Sequence, residues 1–157
     1  MTKLSANFSL AELTRSGTAQ KLGISNQPTP EHLESLKKLC ETVLQPLRED
    51  LGKPIRVNSG YRSEALNMAI PGSSPTSQHC KGQAADIEVD GFPNKDLAQK
   101  IIDMGLPFDQ LILEFYVPGE PNSGWVHVSH KPEGEQRGQI MRAIKADGKL
   151  QYLPGLE

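Results

Sequence analysis

Cysteine is nearly absent from this 157-residue chain: Cys40 and Cys80 are the only two, too few for a disulfide framework. Aromatic residues make up only 5%, so the core must be built mainly from aliphatic side chains. Neither sign of charge is in excess, with 17 Lys plus Arg against 19 Asp plus Glu and a formal net charge of −2. That balance excludes the overall electrostatic footprint of a nucleic-acid or membrane-surface protein, although it is compatible with a local basic patch. Apolar runs are only a few residues long, so no bilayer-spanning helix is expected. The opening MTKLSANFSL lacks the apolar stretch of a signal peptide, which predicts synthesis in the cytoplasm. The chain does have 36% hydrophobic and 23% charged residues, with 14 Gly and 12 Pro. This is the composition of a folded, turn-rich chain mixing helices and strands.

Periodicity divides the sequence into helices first and strands mostly second. Ser9 and Glu12 form a capping-box pair that opens a short helix to Thr14, with Gly17 expected to stop it. Gly23 to Pro30 reads as turn. Thr29 then caps a stronger helix with Pro30 at its first position. Leu33, Leu36, Leu39, Cys40, Val43, Leu44, Leu47 and Leu51 share one helical stripe, and Cys40 on it reads as a small buried hydrophobe. Pro46 predicts a kink or two abutting helices, and Gly52 ends the run. Strands are expected over Ile55–Asn58, Ala84–Val89, Gln110–Phe115, Trp125–Ser129 and Gln139–Ile144, forming an antiparallel sheet. Short helices are expected over Ser63–Ile70 and from a capping Asn94 to Gly105, with a Gly/Ser/Pro loop at Pro71–Thr76. The expectation is one α+β domain over 1–157, with a helical part at about 1–52 and a sheet part at about 53–157.

The chemistry is concentrated in Ser77-Gln-His-Cys-Lys-Gly-Gln-Ala-Ala-Asp86. His79 leaves a loop, Gly82 permits a tight turn, and Asp86 lies in a strand between Ala85 and Ile87. A carboxylate buried there is costly unless a cation or metal partners it. In Trp125-Val-His-Val-Ser129 the alternation points Trp125, His127 and Ser129 one way. If the two strands are neighbours, Asp86 and His127 share a face over which His79 can close. Two histidines and one carboxylate suit Zn²⁺ with a fourth position open, the catalytic rather than the structural arrangement. Such an ion would acidify water and polarise a carbonyl. Spacing alone leaves the alternative that these histidines are simply satisfied at loop ends.

The pattern Ser77, His79, Gly82, Ala84, Asp86 resembles the signature of the zinc D-alanyl-D-alanine carboxypeptidase family, whose relatives include L-alanyl-D-glutamate endolysins. Trp125-Val-His127 is similar to the segment supplying that family's third ligand, and Ser59-Gly-Tyr-Arg62 to its Ser-Gly-Tyr-Arg turn. The segments Phe8–Ala19, Ile24-Ser-Asn26 and Pro46-Leu-Arg48 resemble a branch common in phages and prophages. The likeness implies a hedgehog or D-Ala-D-Ala peptidase-like α+β fold with its zinc site on the sheet. It makes His79, Asp86 and His127 the ligands of one Zn²⁺ per chain. It implies a hydrolase that cuts peptidoglycan stem peptides, either as a D,D-carboxypeptidase or as an endopeptidase. Such a protein would be a monomer with no nucleic-acid or membrane partner, reaching the cell wall after release or as part of a virion.

Arg62 becomes the cation for a substrate carboxylate or for the oxyanion, the alternative being an ordinary surface arginine after a turn. Ser77 either binds substrate or a ligand, or caps the loop. Many relatives carry an acid three residues before the last ligand, where this chain has Gly124. Glu114, in an otherwise apolar run, is the replacement general base, or else a buried glutamate paired with a cation. Glu88 is expected to meet solvent, and Glu120 is a weaker candidate in its loop. A strand twist would be needed to bring His130 over the site as a transition-state donor. Cys80 as a nucleophile with His127 as its base lacks a supporting elbow or strong activation, so it reads as a bystander. The missing acid at Gly124 keeps a second class in view: a non-catalytic, zinc-containing module that binds cell wall or a protein.

Overall fold

The computed structural model describes residues 2–71, 73, 74 and 76–157; Gly72 and Pro75 of the expected Pro71–Thr76 loop lie outside the described residues. A small hairpin of β1 (Lys3–Ser5) and β2 (Phe8–Ser9) opens the chain, followed by α1 (Leu10–Thr14) and α2 (Gly17–Leu22). The hairpin is too short for a hydrophobic alternation to announce it. Gln45 anchors it from afar, accepting from Ser5 Oγ at 2.7 Å and Asn7 N at 2.8 Å, and donating to Asn7 Oδ1 at 2.8 Å. The Ser9–Glu12 capping box forms as expected. Gly17 does not simply stop the first helix: the Ser16 side chain accepts from Ala19 N, and a second helical turn starts there.

Thr29 caps α3 (Pro30–Leu39), which passes through a π-helical turn at Cys40–Leu44 into α4 (Gln45–Leu51). The wide turn is the answer to Pro46. A proline has no N–H to give the preceding turn, and its ring crowds the carbonyl four residues back. Gln45 N reaches instead to Cys40 O, five residues back, so the helix continues past the proline. Leu36, Leu39, Cys40, Val43, Leu44 and Leu47 are completely buried along the expected stripe. Burial pushes the Cys40 thiol up to about 12, with the nearby Glu12 and Glu41 charges adding to it.

The main sheet has the order β3 (Arg56–Ser59), β4 (Ala84–Glu88), β6 (Trp125–Ser129), β5 (Gln110–Glu114), β7 (Gln139–Ala146), β8 (Lys149–Pro154). It is mixed rather than antiparallel, because β7 runs parallel to β5. The reason lies at Asp109, just before β5. After β6 the chain returns to this corner, where Arg137 N, Nε and an Nη bond the Asp109 carboxylate at 2.6–3.1 Å and Gln139 N donates to Asp109 O at 3.0 Å. β7 therefore starts beside the start of β5 and must run with it. An Asp147-Gly148 turn with both φ values positive, the two-residue type I′ pattern, then adds β8.

α5 (Glu64–Ala69) falls within the expected Ser63–Ile70 helix, its N-terminus capped by the Ser63 side chain, and α6 (Asn94–Asp103) covers the sheet through Leu97, Ala98 and Ile101. Asn94 begins α6 but does not cap it with its side chain, contrary to the expectation. Its Nδ2 donates to Glu88 Oε1, Ser123 O and Gly124 O at 3.0–3.1 Å, fastening the approach to β6 against β4. Among the described residues no helix is long and apolar enough to cross a membrane.

Candidate metal centre

The register of β4 and β6 puts Asp86 directly opposite His127, so their side chains share one face of the sheet. His127 Nδ1 lies 3.0 Å from Asp86 Oδ1. His79 arrives from a 3₁₀ turn, Gln78–Lys81, that Ser77 opens by accepting from His79 N at 3.2 Å. Gly82 closes the turn at φ +70°, and a Cβ there would run into the His32 carbonyl. The His79 ring donates from Nδ1 to Gly60 O at 2.7 Å, which leaves Nε2 facing Asp86 Oδ1 at 3.3 Å. Fixing one ring nitrogen so that the other is presented to a ligand is the usual outer support of a metal-binding histidine.

The donor set passes a geometric test. Tetrahedral zinc with arms of about 2.0–2.1 Å sets its donor atoms about 3.3 Å apart. The two ring nitrogens stand 3.3 and 3.0 Å from the shared carboxylate, and all three donors lie within 4.8 Å of one another. His79 and Asp86 are buried, and His127 is nearly so. Burial acts to raise the Asp86 pKa, but the His79 charge and hydrogen bonds from both histidines outweigh it and hold the carboxyl well below its ordinary range. For His127, burial acts downward and the Asp86 hydrogen bond and charge, with that of Glu114, prevail upward.

Arg62 is built onto this centre by the turn that follows β3. Tyr61 N donates to Leu13 O at 2.6 Å and Arg62 N to His79 O at 3.1 Å. A Cβ at Gly60 would collide with the Leu13 carbonyl, so the glycine lets the turn seat against α1. The guanidinium donates from Nε to Ser59 Oγ at 3.2 Å and stands 3.7 Å from Asp86 Oδ2. It is therefore a mostly buried donor beside the His79–Asp86–His127 cluster, not a surface arginine. Sequence reasoning missed Asn26 as the brace of this turn: its Nδ2 donates to Thr14 O and Tyr61 O, and its Oδ1 accepts from Ser63 N. Beside Arg62 opens a cleft of about 390 Å³, lined in part by Arg15, Ser16, Asn58, Ser59 and Tyr61.

Glu114 lies on the same face, one strand beyond His127, and accepts from Trp125 Nε1 at 2.6 Å. Burial raises its pKa and the Asp86 charge adds to that, against the opposing pull of His127, Trp125 and Arg62. The absence of an acid at position 124 has a steric cause. Gly124 has φ +64°, and a Cβ there would overlap the Glu114 carbonyl and lie 2.8–2.9 Å from the Phe115 backbone. A side chain at 124, acidic or not, does not fit this backbone, whatever residue stands at 114.

The remaining candidates separate cleanly. The contact seen for Ser77 is the capping one. His130 donates from Nδ1 to Pro107 O at 2.6 Å and from its backbone to Gln83 O; none of its hydrogen bonds among the described residues reaches the triad. The Cys80 thiol is pushed up by burial, which leaves it unactivated. Glu88 does not simply meet solvent; it is bound by Asn58, Asn94 and Arg56. Glu120 stays in its loop, paired through the backbone with Val117. A buried Asp109, bonded by Arg137 and by Gln78 Nε2 at 3.1 Å, supports the turn that carries His79 and was not foreseen. No local motif marks it, since its partner is 28 residues away.

No curated protein matches the chain. The family model described as Peptidase M15 matches residues 6–129, so it spans His79, Asp86, His127, Arg62 and Glu114 but not β7 or β8. The match covers most of the sequence, and the chain belongs to the Peptidase M15 family of metallopeptidases.

Proposed function

We propose that this protein is a zinc-dependent peptidase that hydrolyses peptide bonds in peptidoglycan stem peptides. The observation that carries this reading is the convergence of His79 Nε2, Asp86 and His127 Nδ1 on one point, with Arg62 and Glu114 beside it. These three side chains would hold the ion, which supplies Lewis acidity toward water and the peptide carbonyl. Glu114, kept in a dry position where its carboxylate is a better base than in water, takes a proton from the attacking water. The Trp125 hydrogen bond fixes which of its oxygens is free for that task. As oxygen adds to the carbonyl carbon, Arg62 donates to the oxygen that gains charge or holds the substrate carboxylate beside it. Glu114 then returns its proton to the amine as the carbon–nitrogen bond breaks. Ser77, whose hydroxyl caps the His79 turn, bonds substrate in this reading.

The choice between carboxypeptidase and endopeptidase is decided by products. Purified peptidoglycan incubated with the wild type and with Glu114→Gln, and read by mass spectrometry, identifies the bond cut. Wild-type cleavage that Glu114→Gln abolishes supports the mechanism. Zinc binding by a wild type that cuts no stem peptide would instead mark a non-catalytic binding module.

A further inference from the structure

The metal centre lies toward one side of a wide sheet, and the face it shares continues for two more strands. Glu114 on β5 is paired with Trp125 on one side and Ala143 of β7 on the other, and Ala143 is paired with Tyr152 of β8. Direct register partners project from the same face, so Trp125, Glu114, Ala143 and Tyr152 form one row across four strands. Ala143, fully buried, offers only a methyl group between Glu114 and Tyr152. Two strand spacings of about 4.8 Å separate those two backbones, within the combined reach of a glutamate and a tyrosine side chain.

Phe115 completes an aromatic rim. Its φ of +57° turns the chain at the end of β5, and its ring packs at a tilt of 58° against Trp125, centroids 5.4 Å apart, with Lys145 Nζ 6.0 Å above it. Tyr152 is the exposed member of the row, 51% accessible although it is large and aromatic. Burial raises its phenol pKa first, and the Glu114 charge raises it further, a sign that the carboxylate is felt at the ring. The centre is thus asymmetric: an arginine and a polar cleft lie at the β3 end, and beyond Glu114 the row ends at the exposed Tyr152 ring on β8.

We infer that Tyr152 is a substrate-binding residue, its ring holding the stretch of peptide that extends from the scissile bond across Glu114 and away from Arg62. This inference rests on the peptidase reading. It orients the substrate with its carboxylate at the Arg62 end and its chain running over β5 and β7 to β8. The ring supplies apolar area at little conformational cost, and the hydroxyl is not required for that contact. Tyr152 thereby sets how many residues of a stem peptide the enzyme grips.

The test uses stem peptides of two to five residues with zinc-loaded wild type, Tyr152→Ala and Tyr152→Phe. On the longest peptide cleaved, Tyr152→Ala raises KM about tenfold with kcat nearly unchanged, Tyr152→Phe stays close to wild type, and on the shortest the three agree. Trp125, the only tryptophan, reports binding by fluorescence in Glu114→Gln backgrounds where nothing is cut. A weaker fluorescence-detected affinity for the long peptide in the Tyr152→Ala background supports the inference even if the wild type cleaves nothing and the peptidase reading falls. Equal KM and equal affinity with and without Tyr152, or equal losses on short and long peptides, would overturn it while leaving wild-type cleavage intact.

Discussion

Asp109→Asn isolates the buried ion pair that turns the chain from β6 into β7. The Asp109 side chain is inaccessible to solvent, while its partner Arg137 is half exposed. Burial acts to raise the Asp109 pKa, but Arg137, through side-chain and backbone hydrogen bonds and its charge, with Lys131 adding to it, brings it down to about 2 from an ordinary 3.8. At about 1.4 kcal/mol per pKa unit, that drop corresponds to about 2–3 kcal/mol of stability at neutral pH. The folded pKa is depressed, so this contribution is present in full above the unfolded value and is lost as pH falls through about 4 to about 2. The substituted amide retains an acceptor for Arg137 but no charge, and the exposed guanidinium can rehydrate, so the variant should fold. The assay is urea unfolding, with thermal unfolding at pH 7, of metal-free wild type and variant, the urea series run at pH 7, 5, 3 and 2. The expected outcome is a deficit near 2 kcal/mol at pH 7, a melting temperature about 4–8 °C lower, and convergence of the two curves by about pH 2. Equal midpoints at pH 7 would show that the pair contributes nothing, and a deficit undiminished at pH 2 would show that charge is not its source.

Gly124→Ala should cost more than about 2 kcal/mol in thermal unfolding, combining a left-handed φ with overlap onto the Glu114 carbonyl, and should depress activity by moving Glu114. A variant of unchanged stability would show that position 124 is free to carry an acid. Thiol titration should label the partly accessible Cys80 first and Cys40 only on unfolding, since Cys40 is fully buried with its pKa near 12; simultaneous labelling of the native protein would contradict that placement. Zinc at about one hundred times its dissociation constant should stabilise the protein by about 2.7 kcal/mol, reversed by a chelator, and Asp86→Asn should lose most of that gain.

Much of the centre was legible because its residues are close in sequence or fixed by alternation. The segment from Ser77 to Asp86 presents His79 and Asp86 through one glycine turn, and strand alternation puts His127 on the matching face. The leucine stripe of α3 and α4 likewise declared itself, because a single amphipathic period covers both sides of Pro46. The Asp147-Gly148 hairpin had a clear local signal in its turn residues, yet the exposed β8 lacks the apolar alternation that marks a strand. The parallel placement of β7 had no local signal, because it depends on Arg137 finding Asp109 across the chain. The same holds for Asn26 bracing the Arg62 turn and for Asn94, whose side chain abandons capping for long-range carbonyls.

Everything proposed for the chemistry depends on His79, Asp86 and His127 acting together as one metal site. Wild type and His127→Ala, each equilibrated with zinc, dialysed and checked for folding by circular dichroism, should be compared for metal content. One zinc per wild-type chain and almost none in folded His127→Ala is the expected result. A wild type that retains no zinc, or a variant that keeps it in full, would mean that these three residues do not form the site.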